Sequence, residues 1–291
     1  MSRSLRPVPR ELPSFDLVVA TVGRAEELAR FLDSLEAQTF GGFRTLVVDQ
    51  NPDDRLDSVL TRSELDVRRI RSEPGLSRAR NAVLGQLTGD VVAFPDDDCV
   101  YPPDLLARVA ERFAGDASLD GLTGRAVDAA GHSSSSWKRD PAGLTELNLW
   151  NRAISYTIFL RRRVVDRVGR FDERLGLGSP EPWASGEEID YLVRAIRAGA
   201  RIEYDPSLVV VHDAAADEGA IAYRDGASVG YLLRKHGYPA RTTARMLIRP
   251  VGGALVSIGR GDGGRVRYYV ASLRGRLRGL RSGPNSANSS A

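Results

Sequence analysis

Apolar residues in the first third of the chain fall into short solid runs, separated by longer segments where they recur every three or four positions. Phe15 to Thr21 (FDLVVAT) is a run of buried-strand type. From Ala25 to Gln38, Leu28, Phe31, Leu32 and Leu35 sit at i, i+3, i+4 and i+7, which predicts an amphipathic helix. Thr45 to Val48 predicts a second strand ending at Asp49, and Val67 to Ile70 a third ahead of the Glu73-Pro74-Gly75 break. Ser77 to Leu87 predicts a helix with Ser77 as N-cap. Val91 to Phe94 is another apolar strand, closed by Pro95 and followed by Asp96, Asp97 and Asp98. Pro103 opens the next helix, with Leu106, Val109, Ala110 and Phe113 on one face.

Strands alternating with helices predict an α/β fold whose mostly parallel sheet is sandwiched by helices. Ligands of such sheets bind beyond the carboxyl ends of the strands, where Asp49 and the three aspartates lie. The second half is less regular. Leu119 to Ala126 and Ser155 to Leu160 are strand-like, and the polar stretch His132 to Asp140 between them reads as a lid. Glu187 to Ala198 predicts a helix carrying Ile189, Leu192, Val193 and Ile196. Leu208 to Val211 is a last strand, ending at His212. Beyond Asp213 the pattern is helical to near Leu280, broken at Gly237-Tyr238-Pro239 and Gly259 to Gly264. The expected organisation is a flexible 1–13, a catalytic body at 14–215, a basic helical extension at 216–281 and a disordered 282–291.

Charge sharpens that division. The net charge of +3 hides twelve Lys/Arg against Asp262 alone between Arg234 and Arg281, which leaves −8 on the remainder. An acidic body joined to a basic extension calls for an anionic partner. Leu247, Ile248, Val251, Leu255 and Ile258 share one side of the extension, with Arg241, Arg245 and Arg249 on another. Basic amphipathic helices of this kind lie on anionic lipid, so a membrane surface is the expected partner of residues 240–281. A packed helical subdomain with a solvated arginine face, or an oligomer contact, is the alternative. No run of 18 apolar residues is present, and Met1 to Ser14 has no apolar core of a secretory leader. The single cysteine, Cys99, excludes an internal disulfide and fits a reducing compartment. The expected location is therefore cytoplasmic, peripheral at the inner face of the cell membrane.

Three adjacent carboxylates repel one another unless positive charge sits among them, and a divalent cation with hard oxygen ligands is the natural occupant. Their position directly after an apolar strand favours that reading over a solvated acidic turn. Glu187 and Glu188 open a helix, where acids are also favoured by the helix dipole alone. Trp183, just before them, suits stacking on a sugar or anchoring of the loop.

In series, FDLVVATVGR, LVVDQNPDD, GLSRARNAVLGQLTGDVVAFPDDDCVYPPDLL, FDERLGLGS and GEEIDYLVRAIRAGARIEYDPSLVVVHD resemble family 2 glycosyltransferases from Phe15 to Asp213. The resemblance implies a GT-A fold and inverting transfer from a nucleoside-diphosphate sugar, UDP- or dTDP-linked for preference, to a glycan or lipid-linked acceptor. It places Mn²⁺ or Mg²⁺ on Asp96 and Asp98, with His212 as a third ligand, and Asp97 near the donor ribose or sugar. It gives the proton-accepting role to Glu188 or Glu187, the family having Asp where this chain has Glu188. Thr21, Arg24, Asp49 and Gln50 become donor contacts, although Val22 and Gly23 replace a Tyr-Asn pair and Gln50 replaces a second acid. Arg80, and less so Arg78, suit a phosphate clamp, because a guanidinium presents a planar fork. Trp183 and Asp190 are the acceptor candidates. A nucleotidyltransferase would need a glycine-rich loop after the first strand, which TVGRAEE lacks. Nucleic-acid binding through the arginines is disfavoured by the acidic body, and an inactive binding module by the intact metal and base positions.

Overall fold

The computed structural model describes residues 11–133, 137–212 and 218–282. The expected flexible start up to residue 10, the tail from 283 and the centre of the expected lid at 134–136 lie outside the described residues, as does the boundary segment 213–217. One eight-stranded sheet runs through the body in the order β3-β2-β1-β4-β7-β5-β8-β6. Its strands are β1 (Phe15–Thr21), β2 (Phe43–Asp49), β3 (Val67–Arg71), β4 (Val91–Ala93), β5 (Gly121–Val127), β6 (Ala142–Gly143), β7 (Ile158–Arg161) and β8 (Ile202–Val211). β3, β2, β1 and β4 are mutually parallel, as their alternation with helices requires. β7 inserts antiparallel between β4 and β5, and β6 closes the far edge antiparallel to β8, so the second half of the sheet is mixed.

Helices cover both faces. Leu28, Phe31 and Leu32 of α1 (Ala25–Glu36) and Leu106, Val109 and Phe113 of α4 (Leu105–Gly115) pack on one side of the sheet with Leu17, Val19 and Val47. The other side packs Ala79 and Val83 of α3 (Leu76–Val83), Val164 and Val165 of α5 (Arg162–Val168), and Leu192 and Val193 of α6 (Glu187–Arg197) on Val18, Leu46 and Val92. Two short helices escape the apolar pattern: α5, and α2 (Asp57–Arg62), which buries no side chain completely. Ser155 to Thr157 is a 3-10 turn rather than strand, and β7 begins only at Ile158. Ser77 lies inside the first turn of α3, where its hydroxyl donates to the Leu175 carbonyl instead of capping the helix.

The C-terminal module consists of α7 (Glu218–Lys235), α8 (Ala240–Gly259) and α9 (Gly263–Arg281). A charged knot ties α7 to α6. The fully buried Asp190 carboxylate accepts from His236 Nε2 at 2.9 Å and Arg194 Nε at 2.9 Å, and meets Lys235 Nζ at 2.5 Å. Burial opposes its charge, but these partners prevail and hold its pKa down at about 2. α9 lies against α7 through facing glycines: a Cβ on Gly226 or Gly230 of α7 would overlap the backbone of α9, and one on Gly275 or Gly279 would overlap α7. α8 packs in turn on α9.

Two expectations follow. Gly279→Leu forces a side chain into the Ala227 carbonyl and should destabilise the fold by about 3 kcal/mol, measured by denaturant unfolding. Asp190→Asn removes the carboxylate shared by the partly buried Lys235 and Arg194, while Lys235 keeps Asp172 at 2.8 Å, and should cost about 1.5–3 kcal/mol at neutral pH. Because the folded pKa of Asp190 lies below its ordinary 3.8, its stabilisation is complete above about pH 4 and lost as the pH falls toward 2. The stability gap between parent and Asp190→Asn should therefore close over that interval.

Candidate active site at the ends of β1, β4 and β8

The line of β4 continues past Pro95, so that Asp96 bridges Ala20 on β1, while Val100 pairs with Val211 at the end of β8. This brings together groups 116 positions apart. Ligand atoms of Asp96, Asp98 and His212 all lie within 4.8 Å of one another. His212 Nε2 stands 3.1 Å from Asp98 Oδ1, and its ring stacks on Tyr156 at 4.6 Å between centroids. Two carboxylates and an imidazole, all partly exposed, suit Mn²⁺ or Mg²⁺, whose remaining positions a diphosphate is able to fill.

The three aspartates are not equivalent. Burial pushes Asp96 up to about 6 against the pull of Arg80, with Asp98 and Glu187 adding to the rise. Burial likewise raises Asp97, opposed by Thr21 and Arg24. At Asp98 burial is outweighed by the His212 hydrogen bond and by the charges of His212 and Arg24, and the net direction is down. Arg24 from the β1–α1 loop spans the outer pair, with Nη1 at 3.1 Å from Asp97 Oδ1 and 2.5 Å from Asp98 Oδ2, while about half of its side chain stays in solvent.

The two glutamates are separated by geometry. Gly186 starts α6 at a φ of +78°, and a Cβ there would strike the Ser228 hydroxyl on α7, so only glycine fits the turn that aims both acids. Glu187 is buried, and its Oε1 accepts from Arg80 Nη1 at 2.7 Å. Glu188 instead lines a small cavity with Arg80, Phe94, Ser155 and Phe171. Crowding by the protein and then the charge of Glu187 raise its pKa well above the carboxylate range. Ser155, on the wall of the same cavity, donates its hydroxyl to Asp96 Oδ1 at 3.1 Å.

Other residues singled out in the sequence are drawn inward. Arg80 is 1% exposed, between Glu187, Asp96 at 3.6 Å and the rings of Phe94 and Phe171, so its fork is not presented to a ligand. Arg78 is exposed and reaches toward Glu173. Trp183 is buried flat against Tyr231 of α7, and Asp190 is consumed in the knot described above, so neither acceptor candidate is presented at the surface. Asp49 is fully buried and accepts from Asn51 and from Arg69 Nε at 2.7 Å. Gln50 joins β1 to the start of α3, its backbone N–H donating to the Thr21 carbonyl and its side-chain Oε1 accepting from Gly75 N at 2.7 Å. Ser155, Tyr156, Asn51 and Arg69 were not singled out in the sequence. Arg69 alone had a signal, as a cation on the strand next to Asp49.

The chain matches the family model described as Glycosyl transferase family 2 over residues 16–167. Among curated relatives it is similar to a pre-mycofactocin glycosyltransferase of Mycobacterium tuberculosis, at 29% identity over 89% of this chain and 56% of that protein. It thus spans a little over half the length of that relative. The succinoglycan biosynthesis protein ExoM of Rhizobium meliloti is 28% identical over 80% of each chain. Among solved structures, the mannosyltransferase PcManGT from Pyrobaculum calidifontis, in complex with GDP-Man and Mn²⁺, superposes with a TM-score of 0.64 at 18% identity, covering 94% of this chain and 90% of that one. Residues 1–349 of S. aureus TarS in complex with UDP-GlcNAc give 0.58 at 19%, covering 90% and 91%. The architecture is that of the GT-A fold, and with more than half of its length matched by the family model, the chain belongs to the family 2 glycosyltransferases.

Proposed function

We propose that the chain transfers a sugar, with inversion at the anomeric carbon, from a nucleoside-diphosphate sugar to a hydroxyl of a glycan or lipid-linked acceptor. The observation that carries this is the meeting of Asp96, Asp98 and His212 at the strand ends, beside a small cavity lined by Glu188 and by Ser155, whose hydroxyl donates to Asp96. Asp96, Asp98 and His212 would hold Mn²⁺ or Mg²⁺, which when bound supplies positive charge to the departing diphosphate. The nucleoside end would lie beyond the ends of β1 and β2, where the buried Asp49 holds Asn51 and Arg69 in place behind Thr21 and Gln50, with Asp97 toward the ribose or sugar. Arg24, half in solvent, is placed to leave the aspartates for a phosphate oxygen when a donor arrives.

Glu188 is the general base of this reading. Its crowded carboxylate binds a proton more tightly than one in water, which suits it to take the hydroxyl proton as the acceptor oxygen attacks. The new bond forms at the anomeric carbon, the bond to the diphosphate breaks, and the nucleoside diphosphate leaves with the electron pair. Glu187 and Arg80 position Glu188 and Asp96 rather than touch substrate, and Trp183 and Asp190 hold the loop and helix behind them. In this reading 14–215 is the catalytic body and 216–281 an extension with a surface role.

Calorimetric titration of UDP, dTDP and GDP with Mn²⁺ present tests the donor site. One nucleotide should bind, and Asp98→Ala should weaken it by about 10–100-fold, the worth of one charge-assisted contact. Failure of all three to bind would sink the reading. Glu188→Gln should cut kcat by about 10²–10⁴-fold while nucleotide affinity holds, and an unchanged rate would remove Glu188 as the base. Glu187→Gln should instead lower stability, because it leaves the Arg80 charge buried without its partner.

A further inference from the structure

α8 is amphipathic in an unusual sense: its apolar face is the one left outside. Met246, Pro250 and Ser257 are its buried residues, with Gly253 set against the Tyr269 ring of α9. On the opposite side Ile248 is 65% exposed, Val251 41%, Leu255 64% and Ile258 61%, at i, i+3, i+7 and i+10. Val256 adds to this surface, and among the described residues no element packs on it. Arg241, Arg245 and Arg249 run along its flank one turn apart, all exposed. A run of large side chains in water on one face of a helix marks an interaction site rather than a solvated surface.

The helix is built to be rigid despite its proline. Pro250 has no N–H to give the Met246 carbonyl four residues back, and Arg276 of α9 donates to that carbonyl instead. Arg276 is largely desolvated there, and burial first, then the charge of Arg249, brings its pKa down to about 10. α8 is thus fixed to α9, α9 to α7 through the glycine seam, and α7 to α6 through Asp190.

We propose that α8 is a membrane-docking helix that lies in the interface of an anionic bilayer. Ile248, Val251, Leu255 and Ile258 enter the acyl boundary, and Arg241, Arg245 and Arg249 meet lipid phosphates. Charge decides between lipid and a second copy of this chain as the occupant. Residues 240–281 carry ten arginines and one acid, Asp262, so pairing two such modules face to face would bring arginines together with almost nothing to offset them. An anionic lipid surface supplies both the apolar medium and the opposite charge. None of the described helices is long and apolar enough to cross the membrane, so the helix lies along the surface. The docking does not rest on the transfer reaction. It does rest on α8 keeping its open face in the folded chain.

The test is sedimentation of the full chain with phosphatidylcholine vesicles and with vesicles containing about one-third phosphatidylglycerol. Binding should be at least tenfold tighter to the anionic vesicles, by roughly 100-fold if all three arginines reach the surface, and should weaken with salt. The pair Leu255→Asp and Ile258→Asp should lower binding to both vesicles by about tenfold or more. Replacing Arg241, Arg245 and Arg249 by Gln should remove the preference for anionic lipid. Melting profile and nucleotide titration, both measured without lipid, should be unchanged in these surface variants. Equal binding by parent and variants, or no binding to either vesicle, overturns the proposal. So does a solution dimer that Leu255→Asp splits in a chain without vesicle affinity, which assigns the face to a second copy. No donor or acceptor enters the vesicle assay, so its failure and that of the transferase reading are separately visible.

Discussion

The Arg80 guanidinium is a full charge sealed inside the body, boxed by Phe94 and Phe171. A buried cation is tolerated only where its counter-charges are close and well aimed, because the interior does not replace the water it has lost. Glu187 at 2.7 Å and Asp96 at 3.6 Å are those counter-charges. The requirement fixes three elements relative to one another: α3, which carries the arginine, the start of α6, and the segment after β4. With Glu187 committed to this pairing, the adjoining Glu188 is left to the cavity, and burial together with its neighbour's negative charge raises its proton affinity. The two consecutive glutamates thus differ in that Arg80 donates its hydrogen bond to Glu187, while at Glu188 the pull of Arg80 is outweighed by burial and by the charge of Glu187.

Each aspartate likewise has a cation beside it. Asp96 draws on Arg80, Asp98 on His212, and Asp97 with Asp98 on Arg24. Arg80 and His212 are held by packing, the latter flat on Tyr156, while Arg24 is the cation with half of its surface in solvent. It is therefore the partner most easily exchanged for a ligand's charge balance. The groove is acidic enough to call for a cation, yet stable because its inner carboxylates are already paired.

Much of this was legible from residue order. β1, β2 and β4 follow from solid apolar runs, β3 from Val67 and Ile70 around two arginines, and the triple aspartate stands where such sheets bind ligands. What could not be read were roles set by contacts across the fold. Arg80 lies on a predicted helix and looks like any exposed arginine until Phe94 and Phe171 close over it. Trp183 and Asp190 sit close to the acid pair in sequence, but α7 covers them, and nothing local announces that α7 packs there. Ser155 and Tyr156 belong to a 3-10 turn leading into an antiparallel strand between β4 and β5, an insertion that no short-range pattern encodes. β8 was foreseen only at its apolar end, Leu208 to Val211, because Pro206 and the polar residues around it break the run, and the strand absorbs them at an irregularity against β5.

The charge division of the chain gains a physical use once the C-terminal module is seen as one rigid stack. Apart from Arg234 to Arg281, the chain carries −8, and from Arg234 to Arg281 it carries +11. Near an anionic surface the first is repelled and the second attracted, and because the glycine seam and the Asp190 knot join them without slack, the opposing forces act as a torque on the whole molecule. Such a field orients the chain within a Debye length of the surface, before any apolar side chain has entered it. On the proposed docking, the exposed face of α8 would then convert orientation into attachment. Because α6, which carries Glu188, is the far end of that stack, the proposed docking would set the height and tilt of the Glu188 site above the lipid by helix packing.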